Sequence, residues 1–236
     1  MAILEMRDVT SGYGEVQILW GVTLALQKGQ MVSLVGANGA GKTTLLRTIM
    51  GLNRPWSGQI LFEGEDVSRL SPHAKAARGL VLVPEGRQLF THMTVQENLE
   101  MGASPKRARA DIQRNLELVF EMFPRLKDRR NQKAGTMSGG EQQMLAVARG
   151  IMASPKVLMI DELSLGLAPV LVLQLFESLK KLRDTGITVL LVEQNVKMAL
   201  AVTDYAYVLA EGRIEIEGPS KAVANNPDVQ KAYLGL

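Results

Sequence analysis

Glycines at 36 and 41 are separated by four residues and followed at once by a cation and a hydroxyl, giving Gly36-Ala37-Asn38-Gly39-Ala40-Gly41-Lys42-Thr43. Glycines in such a turn let backbone N–H groups converge on phosphate oxygens without Cβ collisions, and a helix opening there adds partial positive charge. Lys42 then reaches the β- and γ-phosphates as a point charge, and the Thr43 hydroxyl is placed to ligate Mg²⁺. Asn38, Gly39, Ala40 and Thr44 complete the stretch that would touch the nucleotide. Glycine makes up roughly 7% of average composition, so the pattern arises by chance in on the order of one chain in a hundred of this size. A strand-like run before it (31–35) and good helix formers after it, up to Gly51, make chance rarer still. The expected ligand is a nucleoside triphosphate with magnesium.

Two further constellations follow. Val157-Leu-Met-Ile-Asp161-Glu162 is an apolar strand ending in two carboxylates. Asp161 at the strand's carboxyl end suits Mg²⁺ held through water, and Glu162 beside it suits a general base for the attacking water. An apolar strand ending in an acid is common by itself; its place downstream of a phosphate loop is what gives it meaning. Just upstream stands Met137-Ser138-Gly139-Gly140-Glu141-Gln142-Gln143. Ser138 and Glu141 make a good capping box whatever the function. A helix start carrying two glycines also exposes N–H groups and a hydroxyl to an anion, which makes it a candidate second phosphate surface.

The elements that must position these residues read as follows. Up to about residue 30, short strands (Ile3 to Val9, Gly21 to Leu26) flank a Gly12-Tyr13-Gly14 turn and suggest an antiparallel pair. After the loop and its helix come a turn at 55–58 and a strand at 59–63. Buried-type runs then stand at 80–83, 157–160 and 188–192, the last two after helical segments, which is the logic of a parallel sheet. Between about 94 and 153 the character is helical. Thr94 to Glu97 is a capping box, Ser104-Pro105 opens a second helix through about Met122, and Ser138 caps a third that ends before Pro155. The expected fold class is α/β: a P-loop NTPase core with a mostly parallel sheet, an N-terminal antiparallel β subdomain and a helical insertion subdomain. The whole chain is read as one domain, with 1–92 and 154–236 forming the core and 93–153 the helical part.

The 236 residues carry a formal charge of +3, too small to argue for nucleic acid. No cysteine is present, which rules out disulfides and cysteine-held metal and fits a reducing compartment. No apolar stretch is long enough to cross a bilayer, and the start carries acid where a signal peptide is basic and then greasy, so the chain is expected in the cytoplasm. Basic clusters at Lys106, Arg107, Arg109 and at Lys127, Arg129, Arg130 suit either a solvated helix face or an acidic partner or anionic lipid surface.

The three motifs in this order resemble the ATP-binding subunit of ABC transporters. The segments Val83-Pro-Glu-Gly-Arg87, Ser164-Leu-Gly-Leu-Ala-Pro169, Leu191-Val-Glu-Gln-Asn195 and Ala232-Tyr-Leu-Gly235 look like one of the two paired ATPases of bacterial branched-chain amino-acid importers. The resemblance covers essentially residues 3–236. It implies a second ATPase subunit facing this one head to tail, as a homodimer or a heterodimer, with each ATP between the loop of one chain and the Ser-Gly-Gly segment of the other. It also implies two transmembrane permease subunits, a periplasmic binding protein reached indirectly, no nucleic acid, and a location on the cytoplasmic face of the bacterial inner membrane. An importer of amides or short peptides would leave this chain looking much the same.

Set beside the wider family, four positions depart. Glu85 stands where a glutamine touches Mg²⁺ or the attacking water; a carboxylate can still accept from metal-bound water, and the alternative is a surface ion pair with Arg87. Gln194 stands where a histidine contacts the γ-phosphate; its amide donates a hydrogen bond but cannot become cationic. Leu163 replaces a usual proline, and Ala168 an aspartate that couples the two sites across the dimer. Tyr13 falls where the family stacks an aromatic on adenine, with ordinary packing the alternative. His73 and His92 lie elsewhere in the pattern and read as surface residues. These departures leave two readings, a working ATPase and a non-hydrolytic ATP-dependent clamp; Glu162 argues for the first. A DNA- or ribosome-directed relative would show tandem domains or coiled-coil inserts, and a GTPase an N-K-x-D motif, and neither is present.

Overall fold

The computed structural model describes residues 2–234. Strands β1 (Ala2–Tyr13) and β2 (Val16–Gln27) form a long hairpin, and β3 (Met31–Val35) leads through the glycine loop into α1 (Lys42–Met50), which Gly51 closes in a left-handed cap. Next come β4 (Ser57–Phe62), the two-residue β5 (Glu65–Asp66), α2 (Pro72–Arg78) and β6 (Leu80–Val83). Five helices then follow without a strand: α3 (Val95–Gly102), α4 (Lys106–Arg109), α5 (Ile112–Met122), α6 (Pro124–Asp128) and α7 (Gly139–Met152). The chain returns through β7 (Val157–Asp161), α8 (Pro169–Asp184), β8 (Thr188–Glu193) and α9 (Val196–Val202). It ends with β9 (Tyr205–Ala210), β10 (Arg213–Pro219) and the short α10 (Ser220–Ala224) and α11 (Pro227–Val229).

Two sheets result. An antiparallel sheet runs β2-β1-β4-β5, and a six-stranded sheet runs β10-β9-β3-β8-β7-β6, parallel except for β10. Period-2 alternation decides what each face meets. Leu158, Ile160, Val189 and Leu191 pack with the helices of the 95–152 segment and with α8. Val157, Met159, Leu190 and Val192 pack against α1 and the antiparallel sheet. Both faces are therefore dry, and β7 and β8 read as unbroken apolar runs.

Two expectations need correction. The first hairpin is longer than the two short strands expected, and its turn is Gly14-Glu15 rather than 12–14. Register shifts between Met6 and Ser11 break the alternation that marks a strand, with Asp8 at φ 49° and Gly21 at φ 70° facing each other across the pair. The helix expected from 104 to 122 is two helices, because Ala110 and Asp111 interrupt it and Asp111 N–H bonds back to Ala108 O over a tight turn. The break sits between two anchors on the end of α7: Arg107 donates to Ala153 O at 3.0 Å, and Asn115 donates to Ser154 Oγ at 2.7 Å.

Candidate functional site

Glycine serves a different purpose at each of its three places in the loop. A Cβ on Gly36 would lie 2.2 Å from the Leu209 carbonyl oxygen, so this glycine lets the loop press against β9. Gly39, at φ 81°, has nothing within 4 Å of its would-be Cβ and turns its backbone in the left-handed region that favours glycine. Gly41, at φ 105°, is the N-cap of α1 and leaves that helix with no side-chain cap, so its first N–H groups stay free for an anion. Lys42 is buried and folds back over the loop to donate to Gly36 O at 3.0 Å and Ala37 O at 3.1 Å.

One cleft of about 520 Å³ brings the separate motifs together. Asn38, Gly39, Gly41, Lys42, Thr43 and Thr44 line one side, and Glu85, Glu162 and Gln194 the other. The sheet order explains this convergence, since β3, β6, β7 and β8 are parallel and their carboxyl ends open on the same edge. Asp161 ends β7 only 3% exposed, and its Oδ1 has no hydrogen-bond partner. Burial pushes its carboxyl up to about 6; Glu162 and Glu85 push the same way, while the Thr43 hydroxyl and Lys42 oppose them. Glu162 is held in the left-handed region at φ 51° by its N–H donating to Val192 O at 2.9 Å, and its carboxylate lies 3.9 Å from Lys42 Nζ. Gln194 is exposed at the end of β8 beside Glu162.

Other expected residues lie outside this cleft. Tyr13 ends β1 with its side chain 46% exposed and accepts a long 3.4 Å hydrogen bond from Thr44 Oγ1, which leaves the ring free beside the start of α1. Ser138, Gly139, Gly140 and Glu141 begin α7 and do not line the cleft. The capping box is complete: Ser138 N–H donates to Glu141 Oε2 at 3.0 Å and Glu141 N–H to Ser138 Oγ at 3.4 Å. Arg129 binds the same Glu141 carboxylate at 3.0 Å, so two arginines of the basic clusters, Arg107 and Arg129, have internal partners. A Cβ on Gly140 would lie 2.3 Å from Leu171 Cδ1, so a larger residue there would have to push the end of that side chain aside.

Arg87 does not pair with Glu85; it donates to Gln142 Oε1 at 3.0 Å and lies against Gly139. Gly86, Arg87 and Gln88 all have positive φ, so the segment after Glu85, which lies against the start of α7, is a left-handed run strained at its two non-glycine residues. His73 and His92 are exposed, as expected. Sequence reasoning gave no role to Glu193, which is 1% exposed and accepts from Ser164. Its signal was a carboxylate directly continuing an apolar strand, the same signal that marked Asp161.

Comparison with known proteins accords with this geometry. Residues 19–164 match the family described as ABC transporter. The chain is 48% identical over 233 residues to the high-affinity branched-chain amino acid transport ATP-binding protein BraG of Pseudomonas aeruginosa, covering 99% of this chain and 100% of that one. Among solved structures, the ADP conformation of an ATP-binding cassette of an ABC transporter superposes with a TM-score of 0.86 at 30% identity, covering 100% of both chains. A dimeric post-hydrolysis cassette bound to ADP and phosphate superposes at 0.78 and 26% identity, covering 92% of this chain and 98% of that one. The glycine loop, the carboxylates at the end of β7 and these likenesses agree, and the chain belongs to the ABC transporter family as an ATP-binding subunit whose ATPase activity is coupled to transport.

Proposed function

We propose that this subunit hydrolyses ATP to power a bacterial importer of branched-chain, leucine-type amino acids, working on the cytoplasmic face of the inner membrane. The carrying observation is the distribution of the site. One cleft joins the phosphate loop to Glu162 and Gln194, while the Ser138-Gly139-Gly140 helix start lies outside it. A second ATPase subunit, identical or related, therefore supplies its own Ser-Gly-Gly segment over this loop, and the two chains close on ATP. Two permease subunits receive the motion, and a periplasmic binding protein selects the cargo. Among the described residues no helix is long and apolar enough to cross a membrane, so the crossing falls to the permeases. The substrate class rests on likeness to BraG.

The residues fit Mg²⁺. A buried Asp161 oxygen without a donor is a poor resting arrangement and a good seat for a cation or its water, and the exposed Thr43 lies next to it. Among the described residues no group of three or more acidic or histidine side chains converges as a closed metal cage, which suits an ion that keeps waters and phosphate oxygens. Thr43 and Asp161 would hold it, with Glu85 reaching through water. When bound, Mg²⁺ neutralises β- and γ-phosphate oxygens. Lys42 leaves the Gly36 and Ala37 carbonyls for those phosphates, and Gln194 donates its amide to the γ-phosphate. Glu162 takes the proton of the attacking water as its oxygen bonds to the γ-phosphorus and the bond to the β–γ bridging oxygen breaks. Tyr13 stacks on the base.

Phosphate release and leucine uptake, measured in vesicles carrying this subunit with its permeases and binding protein, test the reading. ATP-dependent uptake with stoichiometric phosphate release is expected. Uptake without release at the site bearing Glu162 would make the subunit a clamp, and release without leucine uptake would overturn the substrate.

A further inference from the structure

Glu193 ends β8 between Val192 and Gln194, and both of its carboxylate oxygens are engaged by a single residue across the site. Ser164 N–H donates to Oε1 at 2.9 Å and Ser164 Oγ donates to Oε2 at 2.6 Å. Burial nevertheless raises the Glu193 pKa above its ordinary value, so this is a costly group to place here.

The cost has a visible return in geometry. Glu162 stands in a left-handed conformation that is unfavourable for a non-glycine residue and persists only where its surroundings over-determine it. It is fastened on both sides to the end of one strand, through its own N–H to Val192 O before it and through Ser164 to Glu193 after it. Gln194 leaves that same strand end. The proton acceptor and the γ-phosphate contact thus share one rigid mount.

We propose that Glu193 is a positioning residue for hydrolysis: by clamping Ser164 it fixes the backbone of Glu162 relative to Gln194. The inference rests on the reading of Glu162 as general base and Gln194 as γ-phosphate contact. It makes Glu193 and Ser164 one functional unit rather than two independent contacts.

The test uses the assembled transporter complex and compares Glu193→Ala, Glu193→Gln, Ser164→Ala and the Glu193→Ala/Ser164→Ala pair, with Glu162→Gln alongside. Loss of such a supporting contact costs about 10- to 100-fold in kcat for Glu193→Ala, with KM for ATP within about twofold. Ser164→Ala, which removes one of two hydrogen bonds, costs about threefold to tenfold. The double variant should be no worse than Glu193→Ala alone. Hydrogen exchange at the 162–164 amides should quicken in Glu193→Ala with or without nucleotide. Unchanged kcat in the Glu193 variants while Glu162→Gln abolishes turnover would overturn the clamp, as would losses that multiply in the double variant or a KM that rises in step with them. A Glu162→Gln enzyme that turns over normally would sink the base assignment instead, and amide exchange would still judge the clamp. If Glu193→Ala does not fold, Glu193→Gln and Ser164→Ala carry the same comparison.

Discussion

Gly36→Ala separates the packing role of the loop's first glycine from a phosphate-binding role. The added Cβ would stand 2.2 Å from Leu209 O, 3.2 Å from Leu209 C and 3.3 Å from Ala40 Cβ. Carbon–oxygen contacts settle near 3.3–3.6 Å, so loop and β9 must part by about 1.1–1.4 Å. The obstacle is backbone in a strand paired with β3, so it cannot swing away as a side chain would. Overpacking of this kind costs about 1–3 kcal/mol, which lowers Tm by about 2–12 °C in a chain of this size. Lys42 is carried on the same loop six residues further on, so a shift of the loop displaces its ammonium as well, and a 1 Å misplacement costs on the order of 10² in turnover. Gly39→Ala is the control: it meets no atom and carries only the left-handed strain of about 1–2 kcal/mol in the nucleotide-free protein. Differential scanning calorimetry and single-turnover hydrolysis at saturating ATP read both quantities. A Gly36→Ala protein with wild-type Tm and turnover within twofold of wild type would refute the reasoning.

Two further outcomes follow from the same geometry. Glu162→Gln keeps the shape and the N–H to Val192 but removes the proton acceptor, so single-turnover hydrolysis should fall by roughly 10² to 10⁴ while ATP binding is retained; unchanged hydrolysis would discard Glu162 as the base. Lys75 is fully buried, donates to Ile49 O at 2.7 Å in the last turn of α1, and is pushed down to about 8 by burial, with Asp66 opposing. Its folded pKa lies below the unfolded one, so between about pH 8 and 10.5 the unfolded chain holds the extra proton and stability rises with pH. Relative to Lys75→Met, the wild type should gain up to about 3 kcal/mol across that window, and a Tm difference that stays constant from pH 7.5 to 10.5 would contradict it.

What could be read from the sequence was what is local. The runs at 80–83, 157–160 and 188–192 fell within a residue of β6, β7 and β8, because strands covered on both faces are apolar throughout. The capping boxes at Thr94 and Ser138 were legible for the same reason, since partner and cap lie three residues apart. The bulged hairpin hid its own period, and β9 and β10 went unread, although their pairing closes one edge of the parallel sheet. The loop, Glu85, Glu162 and Gln194 were found as separate patterns, and the structure puts them in one cleft. Contacts between distant segments had no sequence signature. Neither the Leu209 carbonyl filling the space at Gly36 nor the grip of Glu193 on a serine 29 residues earlier could be seen before the chain was folded.

In the proposed function the Gly36–Thr43 loop is half of a site whose other half is the Ser-Gly-Gly segment of a facing subunit. Ser138→Arg addresses it most directly, because breaking the cap costs only about 1 kcal/mol and leaves the fold intact. In the isolated monomeric subunit, ATP affinity should match wild type within about twofold, since nothing in the 138–141 segment lines the loop's own cleft. In the assembled complex, turnover should fall by about 100-fold or more as the facing loop loses its cover. Monomer affinity that collapses together with turnover would mean that the segment serves its own loop, and the half-site account would be wrong.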